Sequence, residues 1–165
     1  MKKDSNMLLK ANWFEGDVPV SSYRSLFKWG NLNTYKHPNR RLTQHIKNVF
    51  NLKDTDFDKP QNLGLESLDI EIPVTMSKEL VNSFAQIVGE ENIRTDTYIR
   101  IGRSYGKTMI DLLRLRSHII ENIPDLVICP RSREDVIAVL NLCRQEKIPV
   151  YVFGAGSSVT RGFEA

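Results

Sequence analysis

Apolar positions take up helical spacing three times along the chain before contracting into two short runs that are almost wholly apolar. Leu42, Ile46, Val49 and Phe50, at spacings of four, three and one, predict a helix over 39–52. Ser77 is placed to cap a second helix, whose face carries Leu80, Phe84, Ile87 and Val88 and which ends at Gly89, a natural residue just past a helix end. Met109, Leu112, Leu113 and Ile120 alternate with Lys107, Asp111, Arg114 and Arg116, which predicts a third helix over 104–120 with an irregular start at Gly106. Residues 1 to about 40 show paired aromatics and a Trp29-Gly-Asn turn but no sustained period, so an irregular segment laid over another surface is expected. The acidic, Pro- and Gly-bearing stretch 53–73 reads as a linker, and 90–97 as a polar loop.

The clearest pattern is near the C-terminal end. Asp125-Leu-Val-Ile-Cys129 is a short apolar run closed by Pro130. Ser132, with Asp135 three residues on, then opens a helix whose stripe is Val136, Ile137, Val139, Leu140 and Cys143. Val150-Tyr-Val-Phe153 follows as a second strand. A strand, crossover helix and strand of this length predicts a right-handed parallel β-α-β unit, covered on both faces. The expected class is therefore α/β, in the broad α+β sense, with helical segments preceding a β-α-β unit.

Composition adds little to this picture and charge adds more. An apolar share of 41% over 165 residues suffices for a domain with a core. The net charge of +3 hides an asymmetry: residues 1–53 carry ten Lys/Arg against three Asp/Glu, and 54–165 carry thirteen against seventeen. A basic arm of this kind suits anionic lipid or nucleic acid, but its cations are scattered among Trp13, Phe14, Tyr23, Phe27 and Trp29 rather than blocked, and no nucleic-acid motif accompanies them. No nucleic-acid partner is expected. Cys129 and Cys143 lack metal-ligand spacing and read as reduced core residues of a cytoplasmic protein, and His37, His45 and His118 read as surface or loop residues. The polar start of the chain does not read as a signal peptide, and no apolar run is long enough to span a membrane.

The second strand runs into Gly154-Ala-Gly-Ser-Ser-Val-Thr-Arg-Gly162. Glycines let backbone N–H groups approach an anion without an intervening Cβ, and Ser157 and Ser158 add hydroxyl donors, which is the chemistry of a phosphate cradle. It is not a dinucleotide fingerprint, because Val159 stands at the third glycine position, nor a P-loop, because no Gly-Lys-Ser/Thr follows. A plain turn is the competing reading. Arg161 either pairs with phosphate or points to solvent, and Arg100, Arg103, Arg114 and Arg116 either face a phosphate-bearing substrate or form ordinary ion pairs.

Beyond the loop, Val88-Gly-Glu-Glu-Asn-Ile-Arg-Thr-Asp96, the run from Arg103 through Ser-Tyr-Gly-Lys to Arg116, Ile123-Pro-Asp-Leu-Val-Ile-Cys-Pro130 and the helix start at Arg133 resemble the opening of the FAD-binding domain in the vanillyl-alcohol oxidase and p-cresol methylhydroxylase (PCMH-type) superfamily. The alkylglycerone-phosphate synthase-like flavoproteins are the best match within it, and Trp29-Gly30 is similar to an element of the same group. The resemblance implies that the family pattern P-x-G-G-G-T-S falls on Val152, Phe153, Gly154, Ala155, Gly156, Ser157 and Ser158, which would hold the FAD diphosphate. Ala155 stands where the family has glycine, a costly exchange if that residue takes φ > 0.

The resemblance further implies an incomplete flavin domain over 123–165, a helical lead-in over 76–122 and an N-terminal extension with linker over 1–75. The parent enzyme would exchange the acyl group of an acylated dihydroxyacetone phosphate for a fatty alcohol, giving an ether-lipid precursor. The alternative within the superfamily is oxidation of a D-2-hydroxy acid such as lactate or glycolate. A non-catalytic binding or assembly module is the alternative of another class. Catalytic residues are expected downstream in a substrate domain and none is assigned here; no metal site is expected, and a lipid-like substrate leaves peripheral membrane contact open.

Overall fold

The computed structural model describes residues 17–28, 30–33, 38–57 and 63–165. Trp13, Phe14, Trp29 and His37, and with Trp29 the tryptophan-glycine element, lie outside them. The described chain is a mixed, mostly helical fold with one small antiparallel sheet. Its helices are α1 (Tyr23–Phe27), α2 (Arg40–Phe50), α3 (Lys78–Val88), α4 (Thr97–Gly102), α5 (Met109–Arg116) and α6 (Arg133–Glu146), and its strands are β1 (Ile93–Arg94) and β2 (Val127–Ile128).

Helix ends obey local capping chemistry. The side chains of Asn39, Ser77, Asp96, Thr108 and Ser132 accept the N–H three residues on, from Leu42, Leu80, Ile99, Asp111 and Asp135 respectively. Gly89, at φ 88°, ends α3 as expected. α5 closes a full capping box, since Asp111 returns a bond to the Thr108 N–H.

Two apolar clusters hold these elements. Tyr23, Leu26 and Phe27 of α1 pack with Ile101 of α4, Tyr105, and Leu115 of α5, so part of the N-terminal segment expected to lie over a surface is itself core. Leu68, Ile70 and Ile72 press on the same cluster from an extended strap, tied down by Arg24 N–H to Gly64 O (2.7 Å) and Leu68 N–H to Ser21 O (2.9 Å). That strap lies in the stretch read as a linker; its period-two alternation with Asp69 and Glu71 is the signal of a half-buried extended segment. The second cluster joins Phe84 and Val88 of α3 to Val139 and Cys143 of α6. Between the clusters, the Arg100 side chain, 1% exposed, donates to Ile72 O (2.6 Å), Pro73 O (3.4 Å) and Pro124 O (2.7 Å).

The sheet corrects the expected β-α-β unit. β2 pairs antiparallel with β1, Ile93 opposite Ile128 and Arg94 opposite Val127, and Cys129 N–H extends the pairing to Asn92 O at 2.9 Å. β1 thus arises inside the stretch expected to be a polar loop. Residues 150–153 form no ladder among the described residues. A parallel strand needs cover on both faces, and Val152 is 87% exposed while α6 packs on α3. The third helix also differs: α4 precedes it, and α5 buries Asp111 and Leu115 while leaving Met109 and Leu113 exposed. α6 likewise buries only Val139 and Cys143 of its expected stripe. Cys129 is exposed rather than core, because its position at the end of β2 turns it outward.

Candidate functional site

The glycine loop begins and ends in aromatic rings. Phe163 meets both Tyr151 and Phe153 edge to face, each at 5.0 Å between centroids, so residues 154–162 form an excursion with its two ends clamped together. Gly156, at φ 64°, folds the chain back over Phe153; a Cβ there would lie 2.4 Å from the ring's Cζ. Glycine is therefore required at 156 on conformation and on space. Ala155 is not among the residues with positive φ, so its Cβ brings no backbone strain and the departure from the family's glycine is harmless to the loop's shape. At Gly154 an added Cβ would meet no heavy atom within 4 Å, and the residue has an ordinary φ.

The back of the loop rests on the segment between α4 and α5. Lys107 N–H donates to Ser158 O at 2.6 Å, and Gly106 is buried against the same oxygen, which a Cβ at 106 would approach to 2.7 Å. Tyr105 and Glu164 form an antiparallel bridge, and Ala165 N–H donates to Ser104 O at 3.0 Å. On the side chains, the Arg103 guanidinium lies 5.0 Å from the Phe153 ring centroid, and the Tyr151 hydroxyl bonds Arg103 O at 3.4 Å. Burial pushes the Tyr151 phenol up to about 12, so it stays a neutral donor.

Charge around the loop is organised rather than uniform. Arg161 does not point free; it donates to Glu164 (3.1 Å), which also takes a bond from Arg114 (2.6 Å). The Arg114 bond, aided by Arg161, holds the Glu164 carboxyl below the usual range. Burial, then the neighbouring Arg103, pushes the Lys107 ammonium down, with Asp111 opposing. The Lys107 ammonium donates to Leu26 O and so ties this segment to α1. Asp111 is fully buried; its Oδ2 accepts from Thr108 N–H while its Oδ1 has no partner.

Among the described residues, none of the backbone N–H groups of 154–158 has a protein acceptor, and neither do the Ser157 and Ser158 hydroxyls have protein partners. These donors sit on one exposed turn with Arg103 beside it. Such N–H and hydroxyl groups are open to solvent or to a ligand, and a phosphate or diphosphate is the kind of anion that accepts several such bonds at once. The predicted residues 152–158 are thus contiguous at one loop, though Val152 is extended outward and Phe153 serves as the loop's floor. Arg100 and Arg114 are committed to carbonyl and carboxylate partners elsewhere. Gly106 and Lys107 are the contributors that spacing alone did not single out. Their signal was Gly106-Lys107 directly before the Thr108-x-x-Asp111 capping box. His118 stacks on Tyr23 at 3.8 Å and bonds Glu66 at 2.6 Å. Among the described residues no three His, Cys, Asp or Glu come together as a metal site.

Comparison with known proteins includes the loop in a family match. The family model described as FAD binding domain matches residues 124–165. The chain is 30% identical over 119 residues to alkyldihydroxyacetonephosphate synthase of Trypanosoma brucei brucei, covering 72% of this chain and 19% of that protein. It is 34% identical over 82 residues to the mitochondrial cytochrome-type D-lactate dehydrogenase of Arabidopsis thaliana, covering 50% and 13%. A solved alkyldihydroxyacetonephosphate synthase superposes with a TM-score of 0.55 at 26% identity, over 59% of this chain and 18% of that one. The chain spans about a fifth of the length of these synthases. Residues 124–165 are part of an FAD-binding domain of the PCMH type, and the chain is related in sequence and in fold to a limited portion of the alkyldihydroxyacetonephosphate synthases.

Proposed function

We propose that residues 152–158 hold the diphosphate of FAD, with the N–H groups of Gly154, Ala155, Gly156, Ser157 and Ser158 as donors and Arg103 as the neighbouring cation. The observation that carries this reading is the coincidence of the FAD-domain match with a loop whose donors have no protein acceptor. Gly106 and Lys107 act behind the loop, holding Ser158 through its carbonyl oxygen. Bound flavin would supply the redox or covalent chemistry, and this chain's part is to bind and orient it. In this reading 123–165 opens the flavin domain, 76–122 leads into it and 1–75 is an extension.

The parent activity best supported is ether-lipid precursor formation from an acylated dihydroxyacetone phosphate and a fatty alcohol. Similarity to the Trypanosoma synthase extends over 72% of the chain, against 50% for the Arabidopsis D-lactate dehydrogenase, whose 2-hydroxy-acid oxidation is the second reading. The flavin proposal is tested at Gly154, where an added Cβ would meet no heavy atom within 4 Å and the φ is ordinary. On titration with FAD up to millimolar concentration, the amide resonances of 154–158 should shift in 15N–1H spectra. Gly154→Val should weaken that binding tenfold or more, with an unchanged melting temperature. Shifts confined to other residues, or equal affinity in the variant, would show the loop to be an ordinary turn.

A further inference from the structure

The glycine loop and the N-terminal helix α1 are joined through one half-buried residue. The Lys107 N–H donates to Ser158 O at 2.6 Å, while the Lys107 ammonium donates to Leu26 O, 81 positions back in the chain. Leu26 lies in the last turn of α1, where carbonyls lack partners within the helix, so the ammonium serves as a cap on that end. Neighbouring residues double the link. Tyr105 packs with Leu26 in the first apolar cluster and also bridges Glu164, and a Cβ on Gly102 would lie 3.4 Å from Leu26 Cδ2. Arg103, four residues earlier, lies instead over the Phe153 ring. The Asp111 carboxylate, 0% exposed, acts on the Lys107 ammonium through space, and its Oδ1 has no protein partner.

We infer that Lys107 is a positioning residue that couples docking of α1 to diphosphate binding at residues 154–158. The inference rests on the flavin reading of the loop and adds the N-terminal helix to the binding device. α1 is the element able to open, because five residues are too few for a helix to persist in water alone, so it is formed while docked. The Lys107 tie exists only in the docked state. When α1 leaves, the ammonium has the open Asp111 Oδ1 as an alternative partner, and that change of partner releases the Lys107 N–H from its fixed place on Ser158 O. Such coupling is reciprocal: the factor by which undocking weakens the ligand is the factor by which the ligand suppresses undocking, here about tenfold. A tie that served stability alone would leave ligand and α1 independent of each other.

The test is amide hydrogen exchange at Lys28, whose N–H closes α1 on Arg24 O (2.9 Å), with and without saturating FAD, beside a titration that follows the amide resonances of 154–158. FAD should slow Lys28 exchange about tenfold in the parent protein. Removing the ammonium by itself would strand Asp111 as a buried charge, so the variant is Lys107→Met with Asp111→Asn, whose side-chain oxygen still accepts the Thr108 N–H. It should bind FAD about tenfold more weakly, and FAD should no longer slow its Lys28 exchange. Lys107→Arg, which keeps a cationic donor, should retain most of both effects. If the double variant does not fold, the parent's exchange with and without FAD decides alone. Unchanged Lys28 exchange while the resonances of 154–158 shift overturns the inference, as does parental affinity in the double variant, and either result leaves the flavin loop standing. No shift at 154–158 overturns both.

Discussion

Gly106→Ala is the sharpest probe of how the loop is held. The new Cβ would lie 2.7 Å from Ser158 O, 3.2 Å from Ser158 Cβ and 3.3 Å from Asp111 Oδ2. Gly106 does not sit at positive φ, so the cost comes from contact and not from a strained backbone. Relief requires Ser158 O to retreat by roughly half an ångström, which stretches the 2.6 Å bond from Lys107 N–H but leaves it within hydrogen-bonding range. Repacking around an added methyl costs about 1–3 kcal/mol. The reduced freedom of the unfolded chain returns about 0.4–1 kcal/mol. A net loss of about 1–2 kcal/mol is expected, which in a chain of this size lowers the melting temperature by about 3–7 °C. Urea unfolding measures the loss, and amide exchange at Lys107 should speed up in parallel. Unchanged stability together with unchanged Lys107 protection would mean that the loop does not rest on Gly106, and the site as described would lose its back wall.

Arg100→Met should strand the carbonyls of Ile72, Pro73 and Pro124 without a donor, costing about 3 kcal/mol or more in urea unfolding, and Arg100→Lys should restore only part of it. Ser132→Ala removes the cap on the Asp135 N–H (3.1 Å) and should cost roughly 1 kcal/mol; no change would contradict the assigned start of α6. The Glu164 carboxyl is depressed by Arg114, so its contribution is complete above the ordinary carboxylate value and is lost as pH falls through the lower folded value. Stability measured against pH should therefore fall on the acid side, and Glu164→Gln should flatten that part of the profile.

Alone, the amino-acid sequence determined what is settled within three or four residues. Asn39, Ser77 and Ser132 cap the helices they were expected to start, and Gly89 ends α3, because each satisfies backbone groups one turn away. The glycine and hydroxyl character of 154–158 was legible for the same reason, as was its resemblance to a flavin loop. Contacts between distant segments were decided only by the tertiary structure. Val127 and Ile128 were readable as a strand, but a strand states no partner, and pairing with Ile93 and Arg94 rather than with 150–153 depended on which neighbour could cover it. α1 looked irregular because five residues carry too little period to register, yet Tyr23, Leu26 and Phe27 are core once α4 and α5 meet them. Asp111 looked like the polar face of a helix, and its capping bond to Thr108 drew it inside. Gly106 acquires its meaning from Ser158, fifty-two positions along the chain, and no local period or propensity records a contact of that separation.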